Sequence, residues 1–574
     1  MTNHLKTIAL VPVDLKRSRL GLASHVADRI GGRTVLSHTV QRLARVDQVA
    51  AIVLLHPQDQ RPEELLGGDC AKPVVNWSDP GGLMDPSVGT RISARKWALS
   101  SWRGGLGGAT CYDELLPAAP LAASMAEHDA DAALIVGGDW PLVDPELCDQ
   151  LIERHAEAPE AMKMTFTIAP PGLAGVVAGR QLVDDLASLP MGTFGRILSY
   201  QPSKPQADPI GRDMCVQIEP SIRNAHHRFF HDTPRSIALL RHMAEQLGER
   251  FGDADALEVA RMVADLDAAA TRSFADLPPH ITLELTPRRD AALGGPLVPQ
   301  NHVSFDRPDM PLELAISIVQ QLGQDQDTAL TIGGLGDALL HPQWEDVVRA
   351  AHEAGVLGIA VETDLTVDEA EAQKLLELPI DVVSVRLNAD TAATYEAVMT
   401  GTTGGPDTGV FRTVTRNLEE LLNESNRRRR DGAAGSASPP WIVPRLLKTP
   451  QTMDDLEGFF DRWTHFSQHA VIEPARTGRG RGPGQDLMPS MSPVPMAPPL
   501  RTPCRQIERR MTILSDGLVA QCDQDWLGSG PAGDARTHAL AEIWCRMQTM
   551  RDAHGDGRWE QLELCAGCRE WHRP

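Results

Sequence analysis

Ala329-Leu330-Thr331-Ile332-Gly333-Gly334-Leu335-Gly336-Asp337-Ala338-Leu339-Leu340-His341-Pro342 runs from a short strand-like stretch directly into a glycine-rich turn. A brief apolar run bounded by glycine suits a buried parallel strand. Gly333, Gly334 and Gly336 allow close backbone approach, either to a small ligand or to neighbouring chain. Helical periodicity on both sides, over 312–322 and 344–353, makes this strand one step in a repeating alternation. Further strand candidates are 281–285, 357–361 and 382–387, with 442–447 and 470–473 beyond them. Strands alternating with helices argue for α/β architecture.

The same alternation fills residues 1–250. Strand-like runs at 8–13, 49–56 and 132–136 are separated by helical stretches such as 35–43 and 115–128, as in a doubly wound sheet. Residues 251–277 are helical and charged and read as a connector or a last helix of this first domain. The stretch 423–440 contains Arg427-Arg428-Arg429-Arg430 followed by Gly, Ala, Ser and Pro, and reads as a mobile, solvated loop. A Pro- and Met-rich linker covers 486–503, between a middle domain at 278–485 and a cysteine-rich end at 504–574.

At 574 residues the chain is too long for one core. A charged fraction of 23 % and an apolar fraction of 42 % place it among ordinary globular proteins. Net charge −22 argues against general affinity for nucleic acid or anionic membrane. No apolar run approaches the roughly 18 residues of a spanning helix. The opening residues lack the apolar core and cleavage site of a signal peptide, so cytoplasm is the expected compartment. Nine cysteines, odd in number and mostly isolated, do not suggest a disulfide framework.

Three resemblances follow from particular residues. The first rests on Val11-Pro12-Val13-Asp14-Leu15-Lys16-Arg17-Ser18-Arg19-Leu20 with Gly31-Gly32-Arg33-Thr34, on Gly138-Asp139-Trp140-Pro141-Leu142-Val143-Asp144, and on Phe230-His231-Asp232-Thr233-Pro234. These make residues 1–250 similar to the sugar cytidylyltransferases. The resemblance implies Mg²⁺ held by Asp139 and Asp232, phosphate met by Arg19, and a nucleotide or sugar acid as ligand. It also implies a place in cell-surface glycan or sugar-acid metabolism. The phosphate-binding loop departs from the family: Asp14 replaces an arginine, Gly21-Leu22 replace Pro-Gly, and Ala23 replaces the lysine. Losing two cations should weaken transition-state stabilisation of a triphosphate. Lys16, Arg17 and Arg19 are the residues that could compensate.

The second resemblance covers 278–485. Pro279-His280-Ile281-Thr282-Leu283-Glu284-Leu285-Thr286-Pro287-Arg288, the Gly333–Pro342 stretch, Val382-Val383-Ser384-Val385-Arg386-Leu387-Asn388-Ala389 and Thr394-Tyr395-Glu396 resemble the partial (βα) barrel of the radical SAM superfamily. That family has three cysteines where this chain has Arg289, Leu293 and Pro296, and no cysteine occurs between Cys215 and Cys504. A protonated guanidinium is a poor metal ligand, so cleavage of S-adenosylmethionine is not expected. Gly333, Gly334 and Gly336 remain the candidates for holding a cofactor.

The third lies at the end of the chain. Cys504, Cys522 and Cys565-Ala-Gly-Cys568 stand with Thr512-Ile513-Leu514-Ser515-Asp516-Gly517, Glu542-Ile543-Trp544 and Glu570-Trp571-His572, and resemble a SPASM module. Four thiolates suit a [4Fe–4S] cluster or structural zinc, and spacing alone does not separate them. The resemblance favours the cluster. Asp516-Gly517 reads as a hairpin turn returning the second thiolate towards the first. Cys545 reads as buried packing. The expectation is an α/β chain with a doubly wound nucleotidyltransferase-like sheet, a partial radical-SAM-like barrel and a small cysteine-rich module. Two function classes stay open: a cytidylyltransferase-like enzyme, and a non-catalytic iron–sulfur or zinc scaffold that serves a protein redox partner.

Overall fold

A computed structural model describes residues 5–18, 20–68, 70–79, 117–189, 213–225, 227–268, 275–323, 327–403, 408–431, 439–467, 470–479, 485–491 and 498–572. The chain divides into two compact units, Met1–Phe274 and Ala275–Pro574.

The first unit is a seven-stranded α/β sheet. Its strands are β1 (Thr7–Pro12), β4 (Val49–Pro57), β5 (Val74–Asp79), β6 (Ala132–Ile135), β7 (Met164–Thr167), β8 (Val176–Gly179) and β9 (Cys215–Val216). A small hairpin of β2 (Arg29–Ile30) and β3 (Arg33–Thr34) stands apart. The order is β5-β4-β1-β6-β8-β7-β9. β5, β4, β1 and β6 run parallel, whereas β8 turns antiparallel to β6. Every residue of β1 and β6 is buried, which is why both read as unbroken apolar runs.

Residues 251–268 are not a detached connector. The buried Arg42 donates to the carbonyls of Phe251 (2.9 Å) and Ala254 (2.8 Å). Asp144 receives the N–H of Leu147 with one oxygen (2.9 Å) and that of Ala256 with the other (2.6 Å), so one carboxylate anchors two helix starts. Val259, Ala260 and Val263 of the helix Ala256–Ala268 are buried in the first unit's core.

The second unit is built on a nine-stranded sheet with the order β15-β14-β13-β12-β11-β10-β16-β17-β18. The strands are β10 (His280–Leu283), β11 (Ala329–Ile332), β12 (Gly358–Thr363), β13 (Val382–Arg386), β14 (Trp441–Lys448) and β15 (Val471–Pro474), then β16 (Arg510–Ile513), β17 (Leu518–Ala520) and β18 (Gly533–Asp534). β10 to β15 pair in parallel in chain order, each pair linked by a crossover that carries helix. β16 adds in parallel to the free side of β10, with Ile281 opposite Met511 and Leu283 opposite Ile513. The cysteine-rich end is therefore a continuation of the βα sheet. Met511, Ile513, Val519 and Trp544 lie in the same core as the earlier strands. The stretch read as a linker is drawn in as well: Met488 and Met491 are buried in that core.

One expectation is corrected outright. Arg427 and Arg428 lie on the long helix Val410–Asp431, not in a loop. Glu424 pairs with Arg427 three residues on and with Arg428 four residues on, and Arg428 also donates to the Leu376 carbonyl (2.7 Å). Such i,i+3 and i,i+4 pairs support helix, and arginine is a good helix former. Residues 432–438 lie outside those described.

Candidate functional site

The cysteine cradle is assembled from three local devices. Cys504 immediately precedes the short helix Arg505–Arg509 that leads into β16. β16 and β17 form the expected hairpin, with Thr512 opposite Ala520 and Ile513 opposite Val519, and Cys522 follows β17. Gly517 turns it with φ +87°, and a Cβ there would meet the Arg536 side chain at 2.8 Å. Cys565 and Cys568 share a turn closed by the Cys568 N–H on the Cys565 carbonyl (3.0 Å).

Cys504 and Cys565 are buried, and Cys522 and Cys568 are half-buried. Burial pushes the Cys504 thiol up to about 11 and the Cys565 thiol up to about 12. It also raises Cys522 and Cys568. After burial, neighbouring charge adds to this: Cys568 acts on Cys504, Asp523 and then Cys565 and Cys504 on Cys522, and Cys568 and Cys504 on Cys565. Four thiols from three places in the chain thus share one neighbourhood. Among the described residues no three His, Cys, Asp or Glu side chains are placed to hold a single metal ion between them.

The surroundings match what four thiolates on a cluster need. Backbone N–H groups serve the sulfurs: Ile507 and Gln506 at Cys504, Gln524 at Cys522, and Glu570 at Cys568 (3.4 Å). Arg479 is buried and binds the carbonyls of Leu564 (3.3 Å) and Ala566 (2.8 Å), and Arg501 binds that of Cys565 (3.1 Å). Both guanidiniums favour thiolate at Cys565 and Cys568. The His554 ring lies between two of the four cysteines, 3.2 Å from the Cys504 backbone nitrogen and 3.3 Å from the Cys565 sulfur. Nothing in the local sequence marks His554. Burial, reinforced by Arg501, lowers its pKa to about 4. Cys545 is exposed and is not the buried packing residue expected; on the helix Leu540–Arg546 it is Ile543 and Trp544 that face inward.

A second polar centre lies at the carboxyl ends of β10 to β14, where βα folds place their ligands. Here charge has filled the ground. Arg289, which follows β10, meets the fully buried Asp364 at 3.2 Å. Asp364 also stands 3.8 Å from Arg386, which donates to the Gly336 carbonyl (2.8 Å). Glu362 receives Arg445 at 2.9 Å, and Arg445 reaches Glu473 at 3.1 Å. Burial alone would raise the Glu362 carboxyl, but Arg445, Arg386 and Arg476 outweigh it and hold it well below the carboxylate range. Asp337 accepts from the Thr363 hydroxyl (3.0 Å) and the Asp364 N–H (2.8 Å), and burial, then Asp364, lift its pKa to about 6.

The three glycines belong to this centre. A Cβ on Gly336 would stand 1.9 Å from the Thr286 carbonyl oxygen, and one on Gly333 would strike the Glu362 side chain at 2.7 Å. Gly334 has φ +102° and gives its N–H to Glu362 (3.2 Å). Their observed work is close approach between neighbouring segments. Of the residues that build this centre, Glu362, Arg386 and Arg445 did carry a signal: each is a charge inside or near the end of a mostly apolar strand.

In the first unit, the turns bearing Asp139 and Asp232 are joined, because the His231 N–H donates to the Asp139 carbonyl (2.8 Å). The Asp232 carboxylate is already gripped by Arg228 through two bonds, of 3.0 and 2.7 Å, and takes the Ser236 hydroxyl at 3.2 Å. Thr233 and Ser236 form a capping box that opens the helix Pro234–Leu247. In the altered loop, Asp14 accepts from the Lys16 N–H (2.8 Å) and from Gln60 (2.9 Å), and the Lys16 ammonium pairs with Asp59. Arg19 lies outside the described residues. Beside the two turns, Asp28 gathers His231 (3.2 Å), His25 (3.3 Å) and Arg241 (3.5 Å).

Comparison with known proteins agrees with the cradle. Residues 504–569 match the SPASM family, an iron–sulfur cluster-binding domain. An uncharacterized protein of Treponema pallidum (strain Nichols) is 25 % identical over 322 residues, 54 % of this chain and 84 % of that one. Among solved structures, a cytidylyltransferase from Leptospira borgpetersenii matches at 12 % identity, covering 46 % of this chain and 96 % of its own, with a TM-score of 0.33. Streptococcus suis SuiB bound to S-adenosylmethionine matches at 12 % identity, covering 55 % and 81 %, with a TM-score of 0.37. No helix among the described residues is long and apolar enough to cross a membrane.

Proposed function

We propose that the second unit binds one [4Fe–4S] cluster on Cys504, Cys522, Cys565 and Cys568, and that the βα sheet beside it carries no S-adenosylmethionine-cleaving cluster. On this reading the protein is an iron–sulfur scaffold or electron carrier for a protein partner. The observation that carries the proposal is the donor set: four cysteines from three places in the chain, with backbone N–H groups, the His554 ring and two arginines around them. Burial disfavours the charged thiolate at all four positions, and a bound metal supplies the positive charge that offsets it. The charge-filled centre at Arg289 supports the second half of the proposal, since a guanidinium paired to Asp364 offers iron no donor.

Anaerobic reconstitution of the full chain tests it. Wild type should hold about four iron atoms and about four acid-labile sulfides, and Cys522→Ala should lose most of both. Stoichiometric zinc without sulfide would sink the cluster reading and leave a structural metal site.

One observation favours a second, nucleotide-binding role for the first unit, in cell-surface glycan or sugar-acid metabolism: the bond from His231 to the Asp139 carbonyl sets both aspartate turns side by side. Mg²⁺ would have to share Asp232 with Arg228. Melting should then rise with CTP and Mg²⁺, by about 2.7 kcal/mol of stability at 100 times Kd, and not in Asp139→Asn. No shift with CTP, ATP, GTP or UTP would dispose of this role.

A further inference from the structure

We infer that His554 is a positioning residue of the cradle: a neutral imidazole that donates its Nε2–H to the Cys565 sulfur and thereby raises the reduction potential of the bound cluster. The inference rests on the cluster reading above and deepens it.

The tautomer follows from geometry. The Cys504 backbone N–H points at Nδ1 of His554 at 3.2 Å, and a backbone N–H can only donate. Nδ1 must therefore present its lone pair, which leaves the ring's one proton on Nε2. Nε2 stands 3.3 Å from the Cys565 sulfur, so that proton faces the ligand. A thiolate on iron is a pure acceptor there, and the contact becomes a charge-assisted hydrogen bond.

The pattern around the other ligands gives this bond its meaning. Cys504, Cys522 and Cys568 each receive N–H groups from the backbone. At Cys565 the donor is the His554 ring. The ring is fixed for the task. It is 1 % exposed, sits near the end of the helix Gln548–Gly555, and packs against Trp559, which Arg501 covers at 4.9 Å. One imidazole thus ties the backbone of the first ligand to the sulfur of the third. Hydrogen bonds to sulfur draw off negative charge, and the reduced cluster carries one more electron than the oxidised one. The donor therefore favours the reduced state and moves the potential up.

The test is an EPR-monitored potentiometric titration of the full reconstituted chain as wild type, His554→Phe and His554→Gln. Phe fills the space without a donor, whereas Gln can place an amide N–H near the Nε2 position. His554→Phe should keep its iron and shift the oxidised-to-reduced equilibrium about tenfold towards the oxidised form, about 59 mV lower for one electron. His554→Gln should recover at least half of that shift. Iron lost in Phe but kept in Gln would also support the donor role. An unchanged potential in a fully loaded Phe variant overturns the inference, as does loss of iron from both variants. If wild type itself takes up no iron and sulfide, the cluster reading fails instead, and the iron assay shows this before any potential is measured.

Discussion

The two polar centres of the second unit lie in one core and answer burial in opposite ways. At the ends of β10 to β14 the chain supplies both signs of charge: Arg289 and Arg386 face Asp364, and Arg445 joins Glu362 to Glu473. At the cradle the chain supplies four thiols, N–H donors and two arginines, and burial drives the thiols away from their charged form. The first centre sets its charges against one another within the chain, although both Asp364 oxygens and Arg289 Nε make no hydrogen bond among the described residues. The second reaches its charged state only with a metal. An ion pair can balance buried charge within the chain, but it cannot supply the coordination that four thiols offer a metal.

The largest test of this contrast is to break the closed centre and watch the other. Arg289→Leu leaves the wholly buried Asp364 with only the longer contact to Arg386 and should destabilise the second unit by about 3–5 kcal/mol in urea unfolding. Adding Asp364→Leu should return most of that, because an apolar pair of similar volume can replace a buried ion pair with little net cost. Iron content at the cradle should remain at the wild-type level in both variants. A loss below about 1 kcal/mol for Arg289→Leu, or a parallel loss of iron, would mean the two centres are not independent in the way described.

Much of this was legible in sequence, for reasons that also explain the gaps. β1, β6 and β11 are buried on both faces, so their apolar runs announced them. The cysteine spacing located the cradle because thiol ligands are few and the turn at Asp516-Gly517 is local. What sequence hid was set by side-chain contacts, some local and some distant. Arg228 takes the Asp232 carboxylate through a contact that no motif specifies. His554 is joined to Cys504 and Cys565 only by the folded path of the chain. The arginine run at 427–430 looked like solvated loop because composition outweighed the Glu424 pairing that makes it helix. The pairing of the module's first strand with β10 was hidden because parallel pairing of β10 with β16 leaves no mark in either strand.

A smaller effect sharpens the comparison through pH. Asp337, in the closed centre, has its pKa raised from 3.8 to about 6 by burial and by Asp364. The folded state then holds a proton that the unfolded state releases. Its contribution to stability is therefore fully present below about 3.8 and is lost as pH rises through about 6. The magnitude is on the order of 2 kcal/mol, because each tenfold gain in proton affinity is worth about 1.4 kcal/mol and the charge is shared with Asp364. Urea unfolding of wild type and Asp337→Asn between pH 4 and pH 7 reads the Asp337–Asp364 pair, because the remaining carboxyls are common to both. Wild type should lose ground to the variant as pH rises, with the change centred between about 4 and 6. A flat difference would mean that Arg386 neutralises Asp337 as fully as Arg445 neutralises Glu362. The closed centre would then be paired at every member, and its contrast with the cradle sharper still.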